Sequence, residues 1–210
     1  MDELSLGYAR VADGLRELIR RLHTGRATLE ELETLERHLA PAITLAASLP
    51  ADRVREIEIP EQDGEPNSEF RSTSPVSGLS NAIAPPMSYD EDASKDPVIV
   101  ANVTFGIPYE GPPGHVHGGW VAAVLDEVLG RAQRFSGQMG MTGTLNIRYL
   151  APSPLYKNLR ASATLESVEG RKATVSGDLR DGDTVLATAV GVFIRVDFNA
   201  LKNRHAPGVG

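Results

Sequence analysis

The stretch GHVHGGWVAAVLDEVLG, residues 114–130, decides how this sequence is read. Two adjacent glycines, Gly118 and Gly119, follow His117 where a helix begins, so little side-chain bulk keeps a ligand from the first backbone N–H groups. Those groups lack intrahelical acceptors and lie at the positive end of the helix dipole, a setting that suits an oxyanion or a polarised carbonyl oxygen. Continued at helical spacing to about Phe135, the segment brings Gly119, Ala122, Ala123, Asp126 and Gly130 near one face. Val121, Val124, Leu125 and Val128 fill much of the remainder. A helix apolar nearly all round is expected to be buried with a sheet wrapped on it, which puts Asp126 on a small-residue face in an apolar setting. A carboxylate there is costly unless paired, and such a cost is common where a carboxylate works. Plain capping by the glycines, and a core hydrogen bond that Asp126 accepts from a hydroxyl, are the structural alternatives.

Working outward, VIVANVTF (98–105) precedes this helix as a strand, and strands follow it: MTGTLNIRYL (141–150), LRASATLESV (159–168), KATVSGDL (172–179) and TVLATAVGVFIRV (184–196). Turn signals at Pro152 to Pro154, Glu169-Gly170 and Asp181-Gly182-Asp183 separate them, so a four-stranded meander is expected, with the earlier strand joining the same sheet. Alternation places Thr142, Thr144, Asn146 and Arg148 on one strand face and Met141, Leu145, Ile147 and Tyr149 on the other.

Upstream, Leu4, Tyr8, Val11, Leu15, Leu18, Ile19 and Leu22 recur at helical spacing, and Leu29, Leu32, Leu35, Leu39, Ile43 and Leu45 form a second series. Gly25 separates the two helices, and Thr28 ahead of Glu30 and Glu31 has the form of a helix start. Residues 1–50 are thus a helical extension for packing or dimerisation, and 51–96, rich in proline and polar residues, form a linker and loop region. Within it SPVSGLSNAIAPPMSY (74–89) suits a loop laid over a core or pocket. Residues 97–198 make the main domain and 199–210 a tail.

With no cysteine among 210 residues, disulfides, thiolate metal sites and cysteine nucleophiles are excluded together. A formal net charge of −7 argues against duplex nucleic acid or an anionic membrane surface as main partner. The first 25 residues carry acids and no apolar run of signal-peptide or membrane-span length, so a cytoplasmic protein without membrane insertion is expected. His115, His117 and Asp126 would make three metal ligands, but no further His or Cys cluster accompanies them, and no metal is expected. No GxSxG elbow, Walker loop or GxGxxG after a strand competes.

HGGWVAAVLDE (117–127) resembles the HGG helix signature of hotdog-fold thioesterases of the 4HBT and PaaI-like superfamily, in which an acid stands nine residues after the histidine, as Asp126 does after His117. MTGTLNIRYLAPSPL (141–155) is similar to the following strand and turn of the THEM4-like acyl-CoA thioesterases. A weaker likeness lies in SGLSNAIAPP (77–86). The resemblance covers roughly Val98 to Val196. It implies an α+β hotdog fold, a long central helix wrapped by an antiparallel sheet, here with an N-terminal helical extension. It also implies dimerisation, as a homodimer or dimer of dimers, with sites at the subunit interface.

Residue by residue, Asp126 takes the place of the catalytic acid and Gly118 supplies the N–H facing the thioester oxygen. His117 shapes the loop or orients the carbonyl, and Thr142 holds the attacking water from the partner subunit. Gly119, His115, Asn146 and Arg148 are expected to contact substrate. His115 stands in for an upstream Asn or Gln that has no clear counterpart. The implied reaction, within lipid metabolism, is hydrolysis of an acyl-CoA thioester with coenzyme A as part of the substrate and no other cofactor. Asp126 acts as general base or nucleophile. Arg131, Arg134, Arg148 and Lys157 are candidate ligands of the coenzyme A phosphates, and the loop near Met87 lines the acyl pocket. The alternatives are an acyl-CoA-binding module without turnover and a hotdog-fold hydratase or dehydratase, whose acid–histidine arrangement is not found here.

Overall fold

The computed structural model describes residues 3–49 and 72–197; the first part of the expected linker, residues 51–71, and the expected tail, 199–210, lie outside them. Two helices open the chain, α1 (Glu3–Thr24) and α2 (Leu29–Ala47). The second begins on a full capping box: the Thr28 hydroxyl accepts from the Glu31 N–H, and the Glu31 carboxylate accepts from the Thr28 N–H at 2.8 Å.

The central helix α3 (Gly118–Ala132) continues as a 3₁₀ turn over Gln133–Ser136 and ends at Gly137, whose φ of 66° is a left-handed stop. Around it runs one antiparallel six-stranded sheet, from β1 (Met87–Tyr89), β2 (Val98–Thr104), β3 (Gly140–Tyr149), β4 (Asn158–Glu169), β5 (Lys172–Asp181) and β6 (Thr184–Arg195). The spatial order is β1-β2-β4-β5-β6-β3. The expected four-stranded meander is therefore corrected to three strands, β4-β5-β6. The chain leaves β3 through a segment punctuated by Pro152 and Pro154, which cannot fold back as a tight hairpin, and crosses the sheet before β4 starts. The short strand β1 lay hidden in the presumed loop.

Val121, Val124, Leu125, Val128, Leu129 and Ala132 pack α3 into the sheet beside Ile99, Leu159, Val175, Leu179 and Phe193. Leu129 explains two glycines. A Cβ on Gly177 would lie 2.7 Å from Leu129 Cδ1 and 2.4 Å from the Ser162 carbonyl oxygen, and one on Gly191 would lie 3.0 Å from Leu129 Cδ2. The sheet closes on the helix only where these side chains are missing. The opposite face of α3 is not buried. Gly119 is exposed, and Ala122, Ala123, Asp126, Glu127 and Gly130 are half-buried, which corrects the expectation of a helix enclosed on every side. The apolar arc of α3 faces a single sheet, and among the described residues no helix or strand lies over the small-residue face.

Candidate active site

The N-terminus of α3 is shaped by His117. Its backbone is extended (φ −60°, ψ 131°), and its Nδ1 accepts from the Gly119 N–H at 3.0 Å. A ring nitrogen that accepts carries no proton, so the neutral His117 holds its hydrogen on Nε2, where it remains a donor. Gly119 therefore spends its own N–H on the cap. The Gly118 N–H has no acceptor among the described residues, while the Gly118 carbonyl accepts from Tyr149 Oη at 3.0 Å. One backbone donor is thus left open at the positive end of a fifteen-residue helix, and the peptide that follows it is held in place from β3.

His115 lies one residue beyond the buried Val116, its Nδ1 2.9 Å from the Pro113 carbonyl oxygen. The carbonyl can only accept, so Nδ1 carries a proton and donates. The loop holding it is tied by the Gly114 N–H donating to Glu110 Oε1 at 2.6 Å. Among the described residues no three His, Asp or Glu side chains gather as metal ligands.

Asp126, two turns along α3, accepts from Thr142 Oγ1 at 2.9 Å. The two side chains meet because β3 carries a bulge. Thr142 pairs with Phe193 and Thr144 with Val192, so Gly143 is extra and the faces exchange there. Thr142 consequently lies on the helix side with Leu145, Ile147 and Tyr149, while Met141 turns outward with Thr144, Asn146 and Arg148. Strict alternation had assigned Met141 and Thr142 the reverse way. The glycine is required: a Cβ at 143 would sit 2.8 Å from Ile194 Cγ1. The contact also lies within one chain, where the resemblance placed the threonine of a partner subunit. Asn146 and Arg148 are exposed on the outward face and are not brought to Asp126 within this chain.

The neighbouring carboxylate, Glu127, was passed over in the sequence. It takes hydrogen bonds from the Ser74 hydroxyl (3.2 Å, to Oε2) and, more closely, from the Ser77 hydroxyl to Oε1. One turn on, the Arg131 guanidinium stacks over the Tyr89 ring, 3.7 Å from its centroid, with Glu91 3.7 Å away. Burial, reinforced by the nearby Glu127 charge, pushes the Tyr89 phenol up to about 12. Arg131 is thus engaged in the interior. Arg134 rests 5.1 Å from the Phe135 ring centroid, and Lys157 is exposed. The available signal for Glu127 was the pair of serines three residues apart in the segment marked as a pocket-covering loop.

Comparison with known proteins agrees with this architecture. The family model of the Thioesterase superfamily (4HBT) matches residues 113–188. A solved structure, that of protein RHA08564, described as a thioesterase superfamily protein, superimposes with a TM-score of 0.75 at 37% identity, covering 89% of this chain and 90% of that one. Acyl-coenzyme A thioesterase THEM4 of Mus musculus is 36% identical over 94 residues, 44% of this chain and 40% of the relative. Acyl-coenzyme A thioesterase THEM5 of Homo sapiens is 35% identical over 89 residues, 41% and 36% respectively. The chain spans about two fifths of the length of these curated relatives.

Proposed function

This chain belongs to the thioesterase superfamily, and from that premise we propose that it hydrolyses acyl-CoA thioesters, with Asp126 as its catalytic carboxylate. The observation that carries the reading is the Asp126–Thr142 hydrogen bond of 2.9 Å on the open face of α3. A hydroxyl that donates to one carboxylate oxygen leaves the other free to take a proton from water and presents its own lone pairs to that water.

Helix geometry says how the electrophile must be held. Gly118 and Asp126 are eight residues apart on one helix, about 12 Å along its axis. A carbonyl oxygen bonded to the Gly118 N–H and a water bonded to Asp126 cannot meet at one carbon over that span. In this reading each site is therefore composite, built from Asp126 and Thr142 of one subunit and Gly118 and His117 of the partner subunit. The dimer forms through β3, whose edge is unpaired among the described residues and leaves Met141 and Tyr149 more than half exposed.

In the reaction, Asp126 removes a proton from water as the water oxygen bonds to the thioester carbon. The resulting oxyanion faces the Gly118 N–H and the α3 dipole. Collapse breaks the C–S bond, and the proton held by Asp126 passes to the departing CoA sulfur. Direct attack by the carboxylate, giving a mixed anhydride that water then opens, uses the same atoms. No described helix is long and apolar enough to cross a membrane, and the substrate is taken to be water-soluble acyl-CoA.

The test is thiol release from short, medium, long-chain and aromatic acyl-CoAs by wild type and Asp126→Ala. Turnover by wild type that falls by about 10³-fold or more in the variant is expected, with acyl-CoA binding and melting temperature retained. Tight binding by wild type without release would make the chain an acyl-CoA-binding module instead.

A further inference from the structure

The open face of α3 has two walls. On one side β3 touches the helix at Gly118, through Tyr149, and at Asp126, through Thr142. On the other side runs the 72–84 loop. Tyr109 packs edge-on against Trp120 of α3, ring centroids 4.9 Å apart, and its hydroxyl donates to the Ile83 carbonyl at 3.2 Å. Ser74 and Ser77 reach Glu127 at the loop's other end. Trp120 and Glu127 lie seven residues apart on the same flank of the helix, so the loop follows α3 for about two turns. Between the walls the floor carries no bulk, because Gly119, Ala123 and Gly130 stand there.

What holds the loop on its far side is a residue from the N-terminal extension. Arg16 of α1 donates from Nε to the Ala84 carbonyl (3.2 Å) and from Nη2 to the carbonyls of Leu79 (2.7 Å), Asn81 (3.0 Å) and Gly78 (3.3 Å). One guanidinium thus answers four carbonyls of one loop, and its side chain is only 17% exposed. The loop supplies those carbonyls because it doubles back on itself: the Ser80 N–H donates to the Ser72 carbonyl at 2.7 Å and the Gly78 N–H to the Ser74 carbonyl at 3.0 Å. A Cβ on Gly78 would come within 2.5 Å of two of the loop's own carbonyl oxygens, so this turn closes only around glycine.

We infer that Arg16 and Glu127 are positioning residues that pin the 72–84 loop as one wall of the acyl-binding groove, and that the N-terminal helix thereby sets which acyl chains are accepted. The inference rests on the thioesterase reading above. Neither residue touches the reacting atoms. Arg16 acts through the loop backbone, and Glu127 acts through Ser74 and Ser77, beside the reacting carboxylate but on the opposite flank. Short acyl groups need only the Asp126 end of the groove. Long ones lie against the wall, and their binding depends on its being fixed.

The experiment compares full-length wild type, Arg16→Met, and the Ser74→Ala/Ser77→Ala double variant, none of which alters α3. Thiol release is measured from acetyl- to palmitoyl-CoA, and deuterium exchange is followed across the loop. The expected result is a KM that rises at least about fivefold for the longest chains, with kcat and KM for acetyl-CoA within about twofold of wild type. Exchange speeds up in the loop and is unchanged in α3 and the sheet. Arg16→Lys should restore little, because a single ammonium cannot serve four divergent carbonyls. Faster exchange with an unaltered chain-length profile would reduce both residues to structural fasteners and overturn the proposal. A profile and exchange both unchanged would overturn it as well. Wild type that releases no thiol from any substrate would instead overturn the thioesterase reading, and this proposal with it.

Discussion

Asp126 and Glu127 are consecutive carboxylates on one helix, yet their surroundings differ in kind. Among the described residues Asp126 accepts from one side chain, the exposed Thr142 hydroxyl, and lies on a face that no described helix or strand covers. Glu127, about 100° further round, takes two serine hydroxyls and sits beside a buried tyrosine and its stacked arginine. A carboxylate whose two oxygens both accept from the protein is committed to holding structure. One that keeps a free oxygen toward open space can still take a proton. That contrast, more than burial, is what favours Asp126 as the proposed acid, which was expected in an apolar setting and is instead half-buried.

The widest separation between the two flanks should come from the composite site. Gly118→Pro deletes one N–H at the first position of α3, where proline suits the helix, and His117 before it is already extended as proline requires. A Cβ there meets only the Tyr149 ring, at 3.6 Å. Loss of about 10²- to 10³-fold in kcat is expected with folding intact, the usual cost of one oxyanion donor. Mixing this variant with Asp126→Ala should then recover activity, to about a quarter of the wild-type rate after subunit exchange, because half the dimers are mixed and each carries one intact site. Absence of any recovery would mean that the two residues serve the same site from one chain. A smaller effect belongs to Thr142→Val, which keeps the shape of the side chain and removes the hydroxyl. A fall of about 10-fold in kcat with KM nearly unchanged is expected if Thr142 holds water, whereas a rise in KM alone would move it to substrate binding.

Much of this arrangement was legible in residues 114–130. The glycine pair, the helix face carrying Asp126 and the two N-terminal helices follow from spacing alone, since helical period is a strong signal over fifteen residues or more. The strand faces did not follow. Alternation is a two-residue period, and a single inserted residue at Gly143 exchanges the faces on either side of it. A glycine inside a strand was the available warning. Nor did the sequence reveal the pairing of β3 with β6, which depends on where the chain goes after Pro152 and Pro154. The roles of Arg16 and Glu127 were hidden for a related reason. Their partners are 62 to 68 and 50 to 53 residues away, and they are backbone carbonyls or serines, groups present in any sequence.

The smallest effect concerns whether the Glu127 flank is closed as described. The Tyr89 hydroxyl is buried beside Ser77 and Arg131, and burial followed by the Glu127 charge raises its pKa to about 12. The neutral phenol therefore persists in the folded chain to a higher pH than in the unfolded one, whose tyrosines titrate near about pH 10. Above that value unfolding releases a proton, so stability present at lower pH is lost as the pH climbs toward about 12. For a single group shifted this far, the loss between about pH 10 and 11 is about 1 kcal/mol. Denaturant unfolding of wild type should show this slope beyond whatever Tyr89→Phe shows, since the variant keeps the ring under Arg131 and has no phenol to ionise. It should also change stability near neutral pH by about 1 kcal/mol at most, because among the described residues no hydrogen bond of ordinary geometry reaches the hydroxyl. If both proteins weaken in parallel above about pH 10, water reaches Tyr89 and the flank is open. The contrast between Glu127 and Asp126 then shrinks to a difference in hydrogen-bond count.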